Sequence, residues 1–82
     1  MASFTGKVTV TLKRSVLDPQ GEIIKHALHS LGFNQAEALR TGKYFEISVK
    51  AATSDEAKEK LKQMAEKLLV NSVIEEYQVQ VQ

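Results

Sequence analysis

Leu39-Arg40-Thr41-Gly42-Lys43-Tyr44-Phe45-Glu46-Ile47-Ser48-Val49 is the stretch on which the fold turns. Gly42 can take a positive φ at no steric cost, so the stretch reads as a strand, a tight turn and a second strand. After the glycine, Phe45, Ile47 and Val49 alternate with Tyr44, Glu46 and Ser48, the period of a half-buried strand. Phe45, Ile47 and Val49 are therefore expected to face a core. Residues 34–40 read as the preceding edge strand, although Ala36, Ala38 and Leu39 are weak or poorly spaced strand formers.

Moving outward, Val8, Val10 and Leu12 alternate with Thr9, Thr11 and Lys13 and predict a first strand with one apolar face. Asp18-Pro19 then provides an N-cap acceptor and a proline suited to the first helical position. Ile23, Ile24, Ala27, Leu28 and Leu31 follow the helical period, and Gly32 stops the helix as a left-handed residue, leaving Phe33 to pack back on Leu28. On this reading Lys25, His26 and His29 fall on the wet side. Downstream, Thr53 and Glu56 form a capping box that starts a second helix. Its stripe is Ala57, Leu61, Met64, Ala65, Leu68 and Leu69, opposite Lys58, Glu59, Lys62, Glu66 and Lys67. Asn71-Ser72 turns the chain into a last strand from Val73, whose apolar side carries Tyr77, Val79 and Val81.

The two halves match at a fixed offset of 37 residues: Val10 with Ile47, Leu12 with Val49, Asp18 with Asp55, Ile24 with Leu61, Leu31 with Leu68 and Ala36 with Val73. Each half is one strand-helix-strand unit. Two interleaved units bury each other's apolar faces as an α+β, ferredoxin-like split βαβ fold, with a four-stranded antiparallel sheet of order 4-1-3-2 and both helices on one face. Strands one and three are then central, parallel neighbours, which gathers Lys7, Arg40 and Lys43 at one end. Such cations are ordinarily a solvated surface set. The functional reading is contact with an anion or an acidic partner, led by Arg40 at the hairpin corner. The terminal strand, Tyr77-Gln78-Val79-Gln80-Val81-Gln82, has neither charge nor proline to blunt an edge. Tyr77, Val79 and Val81 are accordingly expected to contact another chain.

Eighty-two residues specify a single domain over 1–82, too small for a large core. With no cysteine there are no disulfides and no sulfur-bound zinc, leaving oligomerisation as the means of stabilisation. The formal charge of +1 supplies no field for a phosphate backbone. The N-terminal residues lack an apolar signal core and no apolar run approaches a membrane span, so a soluble, cytoplasmic protein is expected. The sequence offers no convincing catalytic set, and no nucleophile elbow or dinucleotide loop occurs. Glu22, His26 and His29 have spacing permissible for a metal but read as exposed helix residues.

Three segments in order carry a family resemblance: Val16-Leu17-Asp18-Pro19-Gln20-Gly21, Arg40-Thr41-Gly42-Lys43-Tyr44-Phe45-Glu46-Ile47, and Leu68-Leu69-Val70-Asn71-Ser72-Val73-Ile74-Glu75-Glu76-Tyr77. Together they resemble the PurS subunits of phosphoribosylformylglycinamidine synthase, also called formylglycinamide ribonucleotide amidotransferase, over nearly the whole chain. Ser72 stands where that family commonly has proline, and Ala36 where it has a bulkier aliphatic residue. The resemblance implies a non-catalytic subunit of an ATP-dependent ligase in de novo purine biosynthesis. Its implied partners are a PurQ-like glutaminase, a PurL-like synthetase and further copies of itself, as a dimer or tetramer. Its implied role is to bridge the two larger subunits and help ammonia pass between them, with no cofactor of its own and with ATP and magnesium on the synthetase. Asp18, Arg40, Lys43, Tyr77, Val79 and Val81 are the residues expected at partner contacts. The competing reading is a stand-alone ferredoxin-like regulatory module binding a small ligand between protomers.

Overall fold

A computed structural model describes residues 1–82. In chain order the elements are β1 (Ala2–Leu12), α1 (Pro19–Ser30), β2 (Gly42–Ala51), α2 (Ser54–Met64), a π-helical turn (Ala65–Leu69) and β3 (Glu75–Val81). The α+β class and the two helices agree with the sequence reading. The sheet, however, has three strands in the order β2-β1-β3, and both pairings are antiparallel. Residues 34–40 form no strand, consistent with their weak propensity.

The first strand and the strand after Gly42 are thus antiparallel neighbours rather than parallel ones. Thr11 lies opposite Gly42 and Ala2 opposite Ala51, so β1 and β2 form one long hairpin whose connection, residues 13–41, contains α1. Gly42 is the first residue of β2 and not a left-handed turn; the only positive φ belongs to Gly32, at 98°. A side chain at Gly42 would meet the carbonyl oxygen of Val10 at 2.5 Å, so glycine is needed there for close strand approach. In this register Lys7 sits opposite Glu46 on one side and Gln80 on the other, in mid-sheet, away from Arg40 and Lys43.

One face of the sheet is covered, by α2 alone. Val8, Val10, Val49 and Ala51 meet Ala57, Leu61 and Ala65 in the buried core, with Phe45, Ile47, Tyr77, Val79 and Val81 packed around it. Thr53 accepts from the Glu56 N–H at 3.1 Å, giving the expected cap, while the Glu56 carboxylate bridges to Lys60 at 3.4 Å. Of the predicted α2 stripe, Ala57, Leu61 and Ala65 are buried in the core, whereas Met64 is 39% exposed. Just beyond, the Val70 N–H reaches back to the Ala65 carbonyl at 2.9 Å, a five-residue repeat that rotates the final turn and leaves Leu68 85% exposed, not in the core.

α1 begins and ends as its sequence dictates. Asp18 caps it, Gly32 closes it, and the Phe33 N–H bonds the Leu28 carbonyl at 2.9 Å. Yet α1 does not lie on the sheet. Gly21 is its only buried residue, and the molecule extends over 51 × 25 × 14 Å. Its radius of gyration is 16.3 Å, against about 12 Å for a compact chain of this length. No helix is long and apolar enough to cross a membrane.

Candidate interaction surfaces

The corner where β1 leaves and β2 begins is built on Asp18, only 4% exposed. Its carboxylate accepts from the Thr41 N–H at 2.7 Å, the Gly21 N–H at 2.9 Å, and the Thr41 hydroxyl at 2.9 and 3.1 Å. The backbone N–H of Thr41, then that of Gly21, hold this carboxyl below its ordinary pKa of 3.8; partial desolvation opposes them. One side chain therefore caps α1 and ties it to the start of β2. Gly21 makes the approach possible, since a Cβ there would lie 2.5 Å from the Leu39 carbonyl oxygen.

Arg40 completes the corner from outside. Its guanidinium Nη2 donates to the carbonyls of Lys13 at 3.0 Å and Val16 at 3.1 Å, with that of Leu12 at 3.5 Å. These bonds commit Nη2 to its own backbone. Lys43 pairs with Glu75 at 3.7 Å across the sheet end. Asp18 and Arg40 are thus positioning residues, and the surface they hold in place is formed by Pro19, Gln20 and the flanking backbone.

β3 is an edge strand, as expected, but its apolar side chains do not point outward along that edge. Tyr77, Val79 and Val81 are half-buried against the α2 face. The Tyr77 hydroxyl donates to Glu66 at 2.8 Å; that hydrogen bond first, and burial second, raise its pKa above the ordinary 10.0. What β3 offers a second chain is its free backbone edge and the outer residues Gln78 and Gln80.

Two apolar surfaces were not legible in the sequence as surfaces. Ile47, Met64, Leu68 and Leu69 line an open groove of about 640 Å³ beside β2, rimmed by Lys60 and Lys67. The other is the outer side of α1, where Ile23 is 70% and Leu31 74% exposed, next to Ile24 and Ala27. The own-chain side of α1 carries Gly21, Lys25, Leu28 and His29, so neither Lys25 nor His29 is fully on a wet face; the His29 Nε2 lies 2.7 Å from the Ala36 carbonyl oxygen.

A fold of this kind defines an interaction module: a one-sided sheet with two open edges, a projecting amphipathic helix, and an apolar groove that the chain itself leaves uncovered. The family model for PurS, phosphoribosylformylglycinamidine (FGAM) synthase, matches residues 5–82. The PurS subunit of Bacillus subtilis is 47% identical over 93% of this chain and 89% of its own. Methanocaldococcus jannaschii PurS, one of the subunits of formylglycinamide ribonucleotide amidotransferase in the purine biosynthetic pathway, superposes with a TM-score of 0.88 at 35% identity, covering 96% of this chain and 95% of that one. A chain of the Thermotoga maritima PurLQS structure superposes at 0.92 with 35% identity, covering all of both chains, so the projecting α1 is part of the match. The chain belongs to the PurS family, the PurS subunits of FGAM synthase in purine biosynthesis.

Proposed function

We propose that this chain serves its synthase as a non-catalytic bridge, pairing with itself and joining a PurQ-like glutaminase to a PurL-like synthetase. The full-length superposition on a chain of a PurLQS structure is the observation that carries this reading. The open sheet edges and the uncovered apolar surfaces support it physically, because exposed apolar area of this extent marks sites of association. In the proposed reaction cycle the glutaminase releases ammonia from glutamine. The synthetase uses ATP and magnesium to install it on formylglycinamide ribonucleotide, and this chain holds the two in the arrangement that lets ammonia pass without loss. The chain acts as one domain, binds no cofactor of its own, and works in the cytoplasm. The corner around Pro19 and Gln20, kept rigid by Asp18 and Arg40, and the neighbouring Lys43 form the contact with a larger subunit.

Reconstitution tests this reading. Glutaminase and synthetase subunits are assayed for synthesis of formylglycinamidine ribonucleotide with glutamine or with ammonium as nitrogen source, with and without this chain. The chain is expected to restore glutamine-dependent synthesis and to leave ammonium-dependent synthesis little changed. Equal glutamine-dependent rates in its absence would overturn the bridging role.

A further inference from the structure

We infer that the free edge of β3, flanked by Lys58 and Lys62 of α2, takes up an extended segment of one of the larger synthase subunits, a segment with carboxylate side chains at alternate positions. The inference deepens the bridging reading and rests on it, since a bridge needs a second contact besides the corner at Pro19 and Gln20.

The two edges of the sheet differ. β2 carries Lys43, Glu46 and Lys50, charges of the kind that blunt an edge, whereas β3 has neither charge nor proline from Tyr77 to Gln82. Nor is β3 bulged, because its register with β1 is continuous from Gly6 opposite Val81 to Leu12 opposite Glu75. Thr5 and Gln82 exchange both backbone bonds, at 2.9 and 3.2 Å. By strand alternation the N–H and C=O groups of Gln78 and Gln80 then face β1, and those of Tyr77, Val79 and Val81 face outward. These outward groups are a template for one more strand.

The chemistry of that strand follows from what flanks the edge. Between β3 and α2 runs an open groove of about 430 Å³, lined by Lys58, Lys62, Tyr77, Gln78, Val79 and Gln80. Residues of an added strand opposite Tyr77 and Val79 share their face of the sheet, so their side chains enter this groove against the two lysines. Both lysines are exposed and belong to none of the chain's three ion pairs, while Glu66 on the same side is held by the Tyr77 hydroxyl. Four helical residues span about 6 Å and alternate strand residues about 6.8 Å, so carboxylates at i and i+2 of the incoming strand can each reach one lysine.

A second copy does not suit this edge. Pairing β3 with β3 antiparallel about a two-fold axis sets both α2 helices on one face and brings the lysines of both copies to one seam, with no carboxylate between Tyr77 and Gln82 to meet them.

The test uses the intact chain, labelled at its N-terminus and titrated with the purified glutaminase, with the purified synthetase, and with both. In the complex, the N–H groups of Tyr77, Val79 and Val81 are expected to exchange with solvent about 10-fold more slowly or better, whereas those of Gln78 and Gln80, already bonded to β1, change little. Lys58→Glu/Lys62→Glu is expected to weaken the complex about 10-fold or more at low salt and to flatten its salt dependence, and Lys50→Glu on the other edge to leave both unchanged. Val79→Pro removes an outward N–H without breaking the β1–β3 ladder and is expected to weaken the complex to a similar degree. The charge variant makes the same test with no change of backbone.

The contact is ruled out if a complex that supports glutamine-dependent synthesis forms with no slowing at Tyr77, Val79 and Val81, which leaves the bridging role standing on other surfaces. Slowing that survives the double charge reversal at full affinity excludes an acidic occupant. Slowing in the isolated chain that grows with its own concentration assigns the edge to a second copy. Failure to associate with either subunit, or with the two together, removes the bridging role and this contact alike.

Discussion

Replacing Gly6 by alanine tests the seam that carries α2 on the sheet. An ideal Cβ on Gly6 would overlap Leu61 Cδ1 and lie 2.7 Å from Cδ2 and 3.0 Å from Cγ. Leu61 is completely buried between β1 and its own helix, so it has no free direction in which to withdraw. Overpacking of this kind costs about 1–3 kcal/mol. Loss of glycine's freedom in the unfolded chain returns about 0.4–1 kcal/mol, because Gly6 has no positive φ to lose. The net destabilisation is about 1–2 kcal/mol. With an unfolding entropy of about 2.1 cal/mol/K per residue, the 82 residues give a fall in Tm of about 6 °C per kcal/mol, hence ~6–12 °C. The assay is thermal and urea unfolding at one fixed protein concentration, since self-pairing makes Tm concentration-dependent. Leu61→Ala alone removes a core side chain and costs about 2–5 kcal/mol. In the double variant the new methyl enters the vacated space, so the combined loss should fall short of the sum by ~1 kcal/mol or more. Strict additivity, or an alanine at position 6 as stable as the glycine, would refute the Gly6–Leu61 seam.

Three further outcomes rest on the caps and the perturbed groups. Asp18→Asn should be less stable than wild type near pH 6, with the gap closing as pH falls. A carboxyl held below 3.8 by the Thr41 and Gly21 N–H groups contributes above the unfolded pKa and loses that contribution as pH drops through the folded one. A gap constant from pH 6 to pH 2 in urea titrations would contradict this. Tyr77→Phe acts at the other end: a phenol raised above 10.0 by its bond to Glu66 stabilises below the unfolded pKa and loses its effect as pH climbs through the folded value. The wild-type advantage should therefore be present at pH 8 and fade in strongly alkaline solution, as read by the urea midpoint. Gly32→Ala should cost ~1 kcal/mol through its φ of 98° alone, because nothing lies within 4 Å of the added Cβ; an unchanged urea midpoint would exclude the left-handed stop.

The local rules were legible residue by residue. Asp18 and Thr53 cap α1 and α2 as their side-chain chemistry requires, Gly32 stops α1, and the alternation of Phe45, Ile47 and Val49 orients β2 toward the core. Each of these depends on a backbone or side-chain preference acting over a few residues. The apolar stripes of both helices were legible too, as was the repeat that relates them. The burial of Tyr77, Val79 and Val81 under α2 was half legible: their alternation showed one apolar face, and nothing local told that face from an intermolecular one.

The sequence by itself determined which segments are helices, how each begins and where α1 ends. Tertiary structure alone decided that β1 and β2 run antiparallel, that residues 34–40 stay out of the sheet, and that α1 projects instead of covering the strands. The physical reason is that strand pairing and helix docking join residues far apart in the chain. Periodicity fixes which side of an element is apolar and leaves open the surface that will meet it. The bonds from Asp18 to Thr41 and from Arg40 to Lys13 and Val16 hold the resulting arrangement in place, at separations of 23 to 27 residues.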